Sequence, residues 1–126
     1  MIRRGVVLDA GAFIALENRS EVMTRFVERA HLHGTLLVTS AGVVAEVWRG
    51  GRGKQTPISF LLRRTTVVSL DTQTAKALGL VLGITGTRDP IDAHVVLLAR
   101  ERGWPVLTSD PKDLTAIDPR VEVGII

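Results

Sequence analysis

The chain has 126 residues, of which 45% are apolar and 23% charged, so we expect one globular domain over residues 1–126 and no disordered segment. It contains no cysteine, which excludes a disulfide framework, a zinc ribbon and a thiol nucleophile. The net charge of +3, from 16 Lys and Arg against 13 Asp and Glu, indicates an acidic partner only weakly.

Short apolar runs alternate with helical patterns in the first half of the chain. Val6-Val7-Leu8 is typical of a buried strand, and Asp9-Ala10-Gly11 begins a turn or a helix. The elements predicted next are a helix from Ser20 to about His33, a strand at Leu36-Leu37-Val38-Thr39, a helix capped by Ser40 and running to about Trp48, and a weaker helix from Gln55 to about Arg64. Within these helices we expect Val22 and Trp48 to face the core.

The second half continues this alternation. The predicted elements are a strand at Thr66-Val67-Val68-Ser69-Leu70, a helix capped by Asp71 or Thr72 and running to about Ile84, a helix starting at Asp89-Pro90 and running to about Arg102, a strand at Pro105-Val106-Leu107-Thr108, and a fifth, edge strand at Val121-Glu122-Val123. Alternating strands and helices predict an α/β fold with a mainly parallel sheet.

The start of the chain resembles a leader peptide only superficially. Arg3 and Arg4 precede an apolar run, as in a signal peptide, but Asp9 ends that run too early. No uninterrupted apolar stretch approaches the roughly 18 residues that span a bilayer. We therefore expect a soluble, cytoplasmic protein with no membrane association.

Four carboxylates fall where open parallel sheets bind ligands. Asp9 ends the first strand, and Asp110 lies two residues beyond the fourth. Asp92 lies in the first turn of the helix before that strand, and Glu46 lies in the helix after the second strand. If the first and fourth strands are neighbours where the strand order reverses, these acids converge at the carboxyl ends of the strands.

Converging carboxylates repel one another unless a cation offsets their charge. Oxygen ligands without His or Cys favour Mg²⁺ or Mn²⁺ over Zn²⁺, and one or two such ions could activate water and stabilise a phosphoryl transition state. Each acid also has a structural alternative as a turn, cap or solvated helix residue. We expect Asp89 to be a helix N-cap and not a ligand, whereas Asp113 could either assist a metal or cap a turn.

Four blocks of sequence carry these acids in order along the chain. They are Val6-Val7-Leu8-Asp9 with the residues up to Leu16, Thr39-Ser40 with Val43-Val44-Ala45-Glu46-Val47, Asp89-Pro90-Ile91-Asp92 with the residues up to Ala99, and Val106-Leu107-Thr108-Ser109-Asp110. Together, these blocks and their spacing resemble the PIN domain family, specifically its VapC-type toxin ribonucleases, over essentially the whole chain.

The resemblance implies a three-layer α/β/α fold with a five-stranded sheet in the order 3-2-1-4-5. It also implies a Mg²⁺- or Mn²⁺-dependent RNA endonuclease whose acidic cluster is Asp9, Glu46, Asp92 and Asp110. Water would hydrolyse the phosphodiester and leave 5′-phosphate and 3′-hydroxyl ends. The implied partners are RNA and a VapB-like antitoxin whose C-terminal segment wraps the toxin and can place an Arg in the acidic pocket. Homodimers and toxin–antitoxin hetero-oligomers are common in the family.

The sequence departs from the family pattern just after its first acid. Many members carry Ser or Thr one or two residues after this Asp, where the hydroxyl can orient a carboxylate, but here these positions are Ala10 and Gly11. Four other hydroxyls could replace it: those of Thr39, Ser40, Thr108 and Ser109.

The Gly- and Arg-rich stretch after Trp48 could contact an RNA backbone through Arg49, Arg52 and Lys54, although it lacks the spacing of a phosphate-binding loop. It could equally be a solvated loop or contact the antitoxin. Outside the four predicted site acids, the chain has nine acids against 16 cations, a balance that suits an acidic pocket on an RNA-attracting surface.

Two alternatives belong to other functional classes. A phosphoacceptor receiver domain also places acids and Mg²⁺ at strand ends, but it needs paired acids after the first strand and a Lys after the last strands. Here Asp9 has no adjacent acid, and Lys112 follows an Asp-Pro turn. A catalytically silent PIN-like binding module is the other alternative, since Ala10 and Gly11 could weaken the site.

Overall fold

The computed structural model describes residues 4–126. Met1, Ile2 and Arg3, which contribute to the comparison with a leader peptide, lie outside the described residues. In chain order the elements are β1 (Gly5–Leu8), α1 (Ala10–Glu17), α2 (Glu21–His33), β2 (Leu36–Ser40), α3 (Ala41–Val47), a 3₁₀ turn (Gly53–Gln55), α4 (Thr56–Arg63), β3 (Thr66–Val68), α5 (Thr72–Thr85), α6 (Pro90–Arg102), β4 (Val106–Thr108), α7 (Pro111–Ile117) and β5 (Val123–Ile125).

The five strands form one parallel sheet in the order β3-β2-β1-β4-β5, which confirms the predicted class and order. β1 lies at the centre, pairing Val7 with Val38 of β2 on one side and with Val106 of β4 on the other. Val7 and Leu8 point to opposite faces of the sheet, yet both are fully buried. Helices therefore cover both faces, giving the three-layer α/β/α arrangement.

The predicted helix starts agree with the observed caps. Ser20 Oγ accepts the Met23 N–H at 3.2 Å, and Ser40 Oγ accepts the Gly42 N–H at 3.0 Å. Asp71 Oδ1 accepts the Thr74 N–H at 2.8 Å. These side chains satisfy backbone donors that have no partner within the helix, so the short polar residues mark the helix boundaries in the sequence.

Several element boundaries differ from the prediction. β3 ends at Val68 and not at Leu70, and α7 replaces the simple turn considered after Asp110. The edge strand begins only at Val123, because its register with β4 pairs Val106 with Val123. α1 forms a full two-turn helix where only its start was recognised, because its apolar residues surround it without clear periodicity.

Two side chains that were expected to face the core are exposed. Trp48 lies one residue beyond α3, where the backbone has turned to an extended conformation, and 40% of its surface is accessible. Val22 on α2 is 65% exposed. In residues 4–126, no helix combines the length and apolar character needed to cross a membrane.

Candidate active site

The first and last acids of the predicted cluster meet at the carboxyl ends of β1 and β4. Leu8 pairs with Leu107, so the chain delivers Asp9 opposite Thr108. The Thr108 hydroxyl donates to Asp9 Oδ2 at 2.8 Å, and its oxygen accepts the Asp110 N–H at 2.9 Å. One fully buried hydroxyl therefore connects the two strand-end acids.

Asp9 is buried, with 7% of its surface accessible. Its Oδ1 accepts the Ala10 N–H at 2.8 Å, which caps α1. Burial raises the pKa of Asp9 above its ordinary value, and the charges of Asp89 and Asp110 raise it further, against the lowering effect of the hydrogen bonds from Thr108 and Ala10. The carboxylate is thus held in position but has no opposite charge beside it.

The strongest electrostatic perturbation in the cluster is at Asp92, in the first turn of α6. Burial and, in decreasing order, the negative charges of Asp89, Asp9, Asp113 and Glu46 raise its pKa to about 7. A carboxyl with this pKa is about half protonated at neutral pH. The other acids therefore lie close enough to Asp92 to make its ionisation costly.

Asp89 has two roles at this place. Its Oδ1 accepts the backbone N–H groups of Ile91 and Asp92 at 2.9 and 3.1 Å, so it is the predicted N-cap of α6. Its charge is also the first electrostatic cause, after burial, of the raised pKa values of Asp92 and Glu46. Sequence reasoning treated Asp89 only as a cap, although its spacing of three from Asp92 places both carboxylates in the first turn of the same helix.

Glu46 projects from α3 and is more exposed than predicted from its apolar neighbours. Burial raises its pKa above the ordinary value, and the charges of Asp89 and Asp9 add to this effect. Asp113, in the first turn of α7, contributes to the field at Asp92. Both acids therefore take part in the same mutual repulsion.

The cluster has the donor chemistry of a site for a hard cation, but it is not a closed cage. Among residues 4–126, no three His, Cys, Asp or Glu side chains lie close enough to hold one ion between them. None of the ion pairs in this part of the chain includes Asp9, Glu46, Asp92 or Asp110. The repulsion between these carboxylates therefore has no internal counter-charge.

Ser109 occupies the space that a side chain at position 11 would need. A Cβ built on Gly11 would lie 2.3 Å from Ser109 Oγ and 2.9 Å from its backbone nitrogen, so only glycine fits there. Of the four hydroxyls considered as replacements, Thr108 is the one that donates to Asp9. The Thr39 hydroxyl donates instead to the Leu8 carbonyl at 2.6 Å and thereby fixes the end of β1 from β2.

A buried histidine joins the two helices that carry site acids. His94 is 1% exposed, and its Nδ1 lies 2.6 Å from Ser40 Oγ. Ser40 also caps α3, which bears Glu46, while His94 lies one half-turn after Asp92 on α6. The imidazole is thus engaged away from the carboxylates, as its spacing of two residues from Asp92 predicts, and burial lowers its pKa.

The basic residues predicted to contact substrate lie in a loop that Gln55 organises. Gln55 Oε1 accepts the backbone N–H groups of Arg49 and Gly51 at 2.6 and 3.1 Å, and its Nε2 donates to the Val47 carbonyl at 2.7 Å. Arg49 Nη1 donates to the Ala45 and Trp48 carbonyls at the end of α3. Arg52 and Lys54 are exposed.

Comparison with known proteins places this architecture in a family. The sequence model of the PIN domain matches residues 6–118. Similar solved structures include VapBC2 from Rickettsia felis bound to a promoter DNA fragment, with 14% identity, a TM-score of 0.69 and coverage of 97% of this chain and 98% of that chain. DNA-bound VapBC from Salmonella typhimurium has 22% identity, a TM-score of 0.68 and coverage of 99% and 98%.

FitAcB from Neisseria gonorrhoeae shares the fold at 20% identity, with a TM-score of 0.58 and coverage of 94% of this chain and 95% of that chain. No curated protein sequence matches this chain. The similar structures establish the fold. The family match establishes the relationship, and it spans both strand-end acids and the helices between them. The chain belongs to the PIN domain family.

Proposed function

We propose that this protein is a metal-dependent RNA endonuclease that acts as the toxin of a VapBC-like toxin–antitoxin pair. The observation that carries the proposal is the uncompensated acidic cluster around Asp92, whose pKa is raised to about 7. Strongly perturbed carboxyls at the carboxyl ends of parallel strands are typical of a catalytic or metal site. PIN domains are in general nucleases, which gives this cluster a reaction class.

The donor set fits Mg²⁺ or Mn²⁺, since its ligands are carboxylate oxygens. Mg²⁺ commonly binds through one or two carboxylates, with water and substrate phosphate completing its shell, so a closed cage of three protein ligands is not required. When bound, such an ion supplies charge for the phosphoryl transition state and lowers the pKa of water. We assign Asp9, Asp92 and Asp110 as the ligands, and Glu46 as a further ligand or the group that orients water.

The chain's own contacts would keep this arrangement in place. Thr108 holds the Asp9 carboxylate and the Asp110 backbone together, and Thr39 fixes the strand end that delivers Asp9. Ser109 fills the space beside Gly11, where α1 packs closely against the residue that follows β4. Asp113 adds negative charge at Asp92, which strengthens the attraction of a cation.

The fold shared with VapBC and FitAcB supports an antitoxin of the VapB type as the partner. An Arg from that partner would offset the carboxylate charge as a cation does, and would therefore inhibit cleavage. We propose that residues 1–126 act as one domain in the cytoplasm, where RNA and the antitoxin meet. Homodimers or hetero-oligomers with the antitoxin fit the same proposal.

The test is cleavage of a mixed-sequence RNA by the purified chain, with Mg²⁺ or Mn²⁺ and with EDTA. We expect 5′-phosphate and 3′-hydroxyl products with either metal and none with EDTA. Asp9→Asn should abolish this cleavage while the circular dichroism spectrum is retained. Asp71→Asn is the matched control, because Asn preserves the cap of α5 and the charge of Asp71 is not among the causes of the raised pKa values of Asp9, Glu46 and Asp92.

Undiminished cleavage by Asp9→Asn would exclude the proposed site. Absence of cleavage with every metal, together with retained binding of a VapB-like protein, would favour the silent binding module. The receiver alternative has lost its support, since the chain matches the PIN domain and Asp9 has no adjacent acid. Labelling by a small phosphodonor would restore it.

A further inference from the structure

Arg19 has a backbone conformation that does not suit its side chain. It is the one non-glycine residue with a positive φ in residues 4–126, at φ 59°. The Arg19 N–H donates to Leu16 and the Ser20 N–H to Ala15, at 3.0 and 2.9 Å, so Arg19 occupies the left-handed position that ends α1. Glycine is favoured at this position, and a side chain there adds strain.

Arg19 and Lys54 both line a cavity of about 740 Å³ between the end of α1 and the 3₁₀ turn. Neither cation takes part in an ion pair in the described part of the chain, although Glu17 also borders the cavity. Two unpaired cations on the lining of one open cavity favour the binding of an anion there.

The wall that carries Lys54 is ordered before any ligand binds. Gln55 bonds three backbone groups of the preceding loop, at Val47, Arg49 and Gly51. Gly51 has a φ of 68°, and a Cβ there would lie 2.1 Å from the Trp48 ring, so the loop packs closely against Trp48. Lys54 is therefore presented from a fixed backbone, which lowers the entropy cost of using it for binding.

Two segments lead from the acidic cluster to this cavity. α1 connects Asp9 to Arg19, and α3 with its following loop connects Glu46 to Lys54. The eight residues of α1 span about 12 Å at 1.5 Å per residue. A ligand extending from the cluster along α1 would therefore reach Arg19, which shares its cavity with Lys54.

We propose that Arg19 and Lys54 bind the phosphodiester backbone of the RNA substrate at a point outside the cleaved bond. This inference rests on the proposed function for the identity of the polyanion. The strain at Arg19 is retained because its guanidinium is used there, as is common for unfavourable backbone conformations at functional positions.

The experiment measures binding separately from cleavage. A fluorescein-labelled oligoribonucleotide of about 12 nucleotides is titrated with the full chain in EDTA at several salt concentrations, and anisotropy gives the Kd. Arg19→Gly and Lys54→Gln should each weaken binding at least about threefold and reduce the slope of log Kd against log salt by about 0.7. Arg19→Lys should keep most of the slope, and Arg29→Gln on α2 is the charge-matched control.

Arg19→Gly carries a second, opposite readout. Relief of the left-handed strain should raise the melting temperature by about 2 to 4 °C while RNA binding weakens. A merely structural Arg19 would give the stability gain with unchanged Kd and slope, and that result would overturn the inference. An equal loss in Arg29→Gln, or no RNA binding by the unaltered chain, would also overturn it. Binding that depends on Arg19 and Lys54 without metal-dependent cleavage would support this site and reject the proposed nuclease.

Discussion

Two buried aspartates in this protein have opposite surroundings. Asp118, after α7, is 6% exposed, and Asp9 is 7% exposed. Asp118 Oδ1 accepts the Arg120 N–H at 2.9 Å, and Asp118 also pairs with the guanidinium groups of Arg100 and Arg120, each at 3.4 Å. The hydrogen bond from the Arg120 backbone is the main cause of the lowered pKa of Asp118, and the two arginines contribute.

Asp9 is equally buried, but its neighbours are other carboxylates and the Thr108 hydroxyl. Burial alone therefore does not distinguish the two acids. The direction of the pKa shift does, because it records whether the fold supplies a positive charge beside the carboxylate or leaves it without one. Asp118 stabilises the turn between α7 and β5. In the Asp9 cluster the carboxylates repel one another, and a bound cation would reduce that repulsion.

The largest difference in cleavage and stability is expected between two neutralising substitutions, one at an acid of the cluster and one at the ion-paired Asp118. Asp92→Asn should reduce metal-dependent RNA cleavage by at least about 100-fold, and at pH 8 without metal it should raise the melting temperature by about 3 °C. Asp118→Asn should leave cleavage intact and lower the melting temperature, because its ion pairs are lost. Cleavage assays and thermal unfolding of both variants check this, and a stability loss in Asp92→Asn would contradict the assignment.

A substitution at Thr108 tests whether cleavage depends on the position of the Asp9 carboxylate and not only on its charge. Thr108→Val should reduce cleavage by about 10- to 100-fold and destabilise the fold by about 1 to 3 kcal/mol, because the buried Asp9 carboxylate and the partly buried Asp110 N–H lose their shared partner. Thr108→Ser keeps the hydroxyl and should retain most of the cleavage activity. Equal activity losses in both variants would assign the effect to packing and not to the hydrogen bond.

The pH dependence of unfolding should differ between the two acids. Asp92 has an ordinary pKa of 3.8 when unfolded and about 7 when folded, so its contribution to stability decreases as the pH rises from about 4 to 7. Asp118 has a lowered pKa, so its contribution is complete above the ordinary value and is lost only in acid.

The smallest predicted effect is the response of the melting temperature to metal. Mg²⁺ should raise it by a few degrees (about 2 to 4 °C) at pH 8 and by less at pH 5.5, where protons compete for the same carboxylates. The increase should shrink in Asp92→Asn and persist in Asp118→Asn. Differential scanning fluorimetry at the two pH values measures this, and an equal shift at both would argue against binding at Asp92.

Much of the fold was predictable because local signals determine it. Four helices begin at a residue whose side chain accepts a backbone N–H two or three positions later, so these bonds need no distant partner. The capping residues are Ser20, Ser40, Asp71 and Asp89. The boundaries that were missed depend on distant partners. The start of β5 follows from its register with β4, and the exposure of Trp48 follows from the early end of α3.

For the candidate site, the sequence by itself determined which acids end strands or begin helices, because hydrophobic runs and caps are local. It also determined that cations outnumber acids in the rest of the chain, outside the four predicted site acids. Only the tertiary structure decided that Thr108 connects Asp9 to Asp110, that Asp89 adds its charge to Asp92, and that Gly11 leaves room for Ser109. These are contacts between residues far apart in the chain or effects of burial, and both depend on how the strands and helices pack.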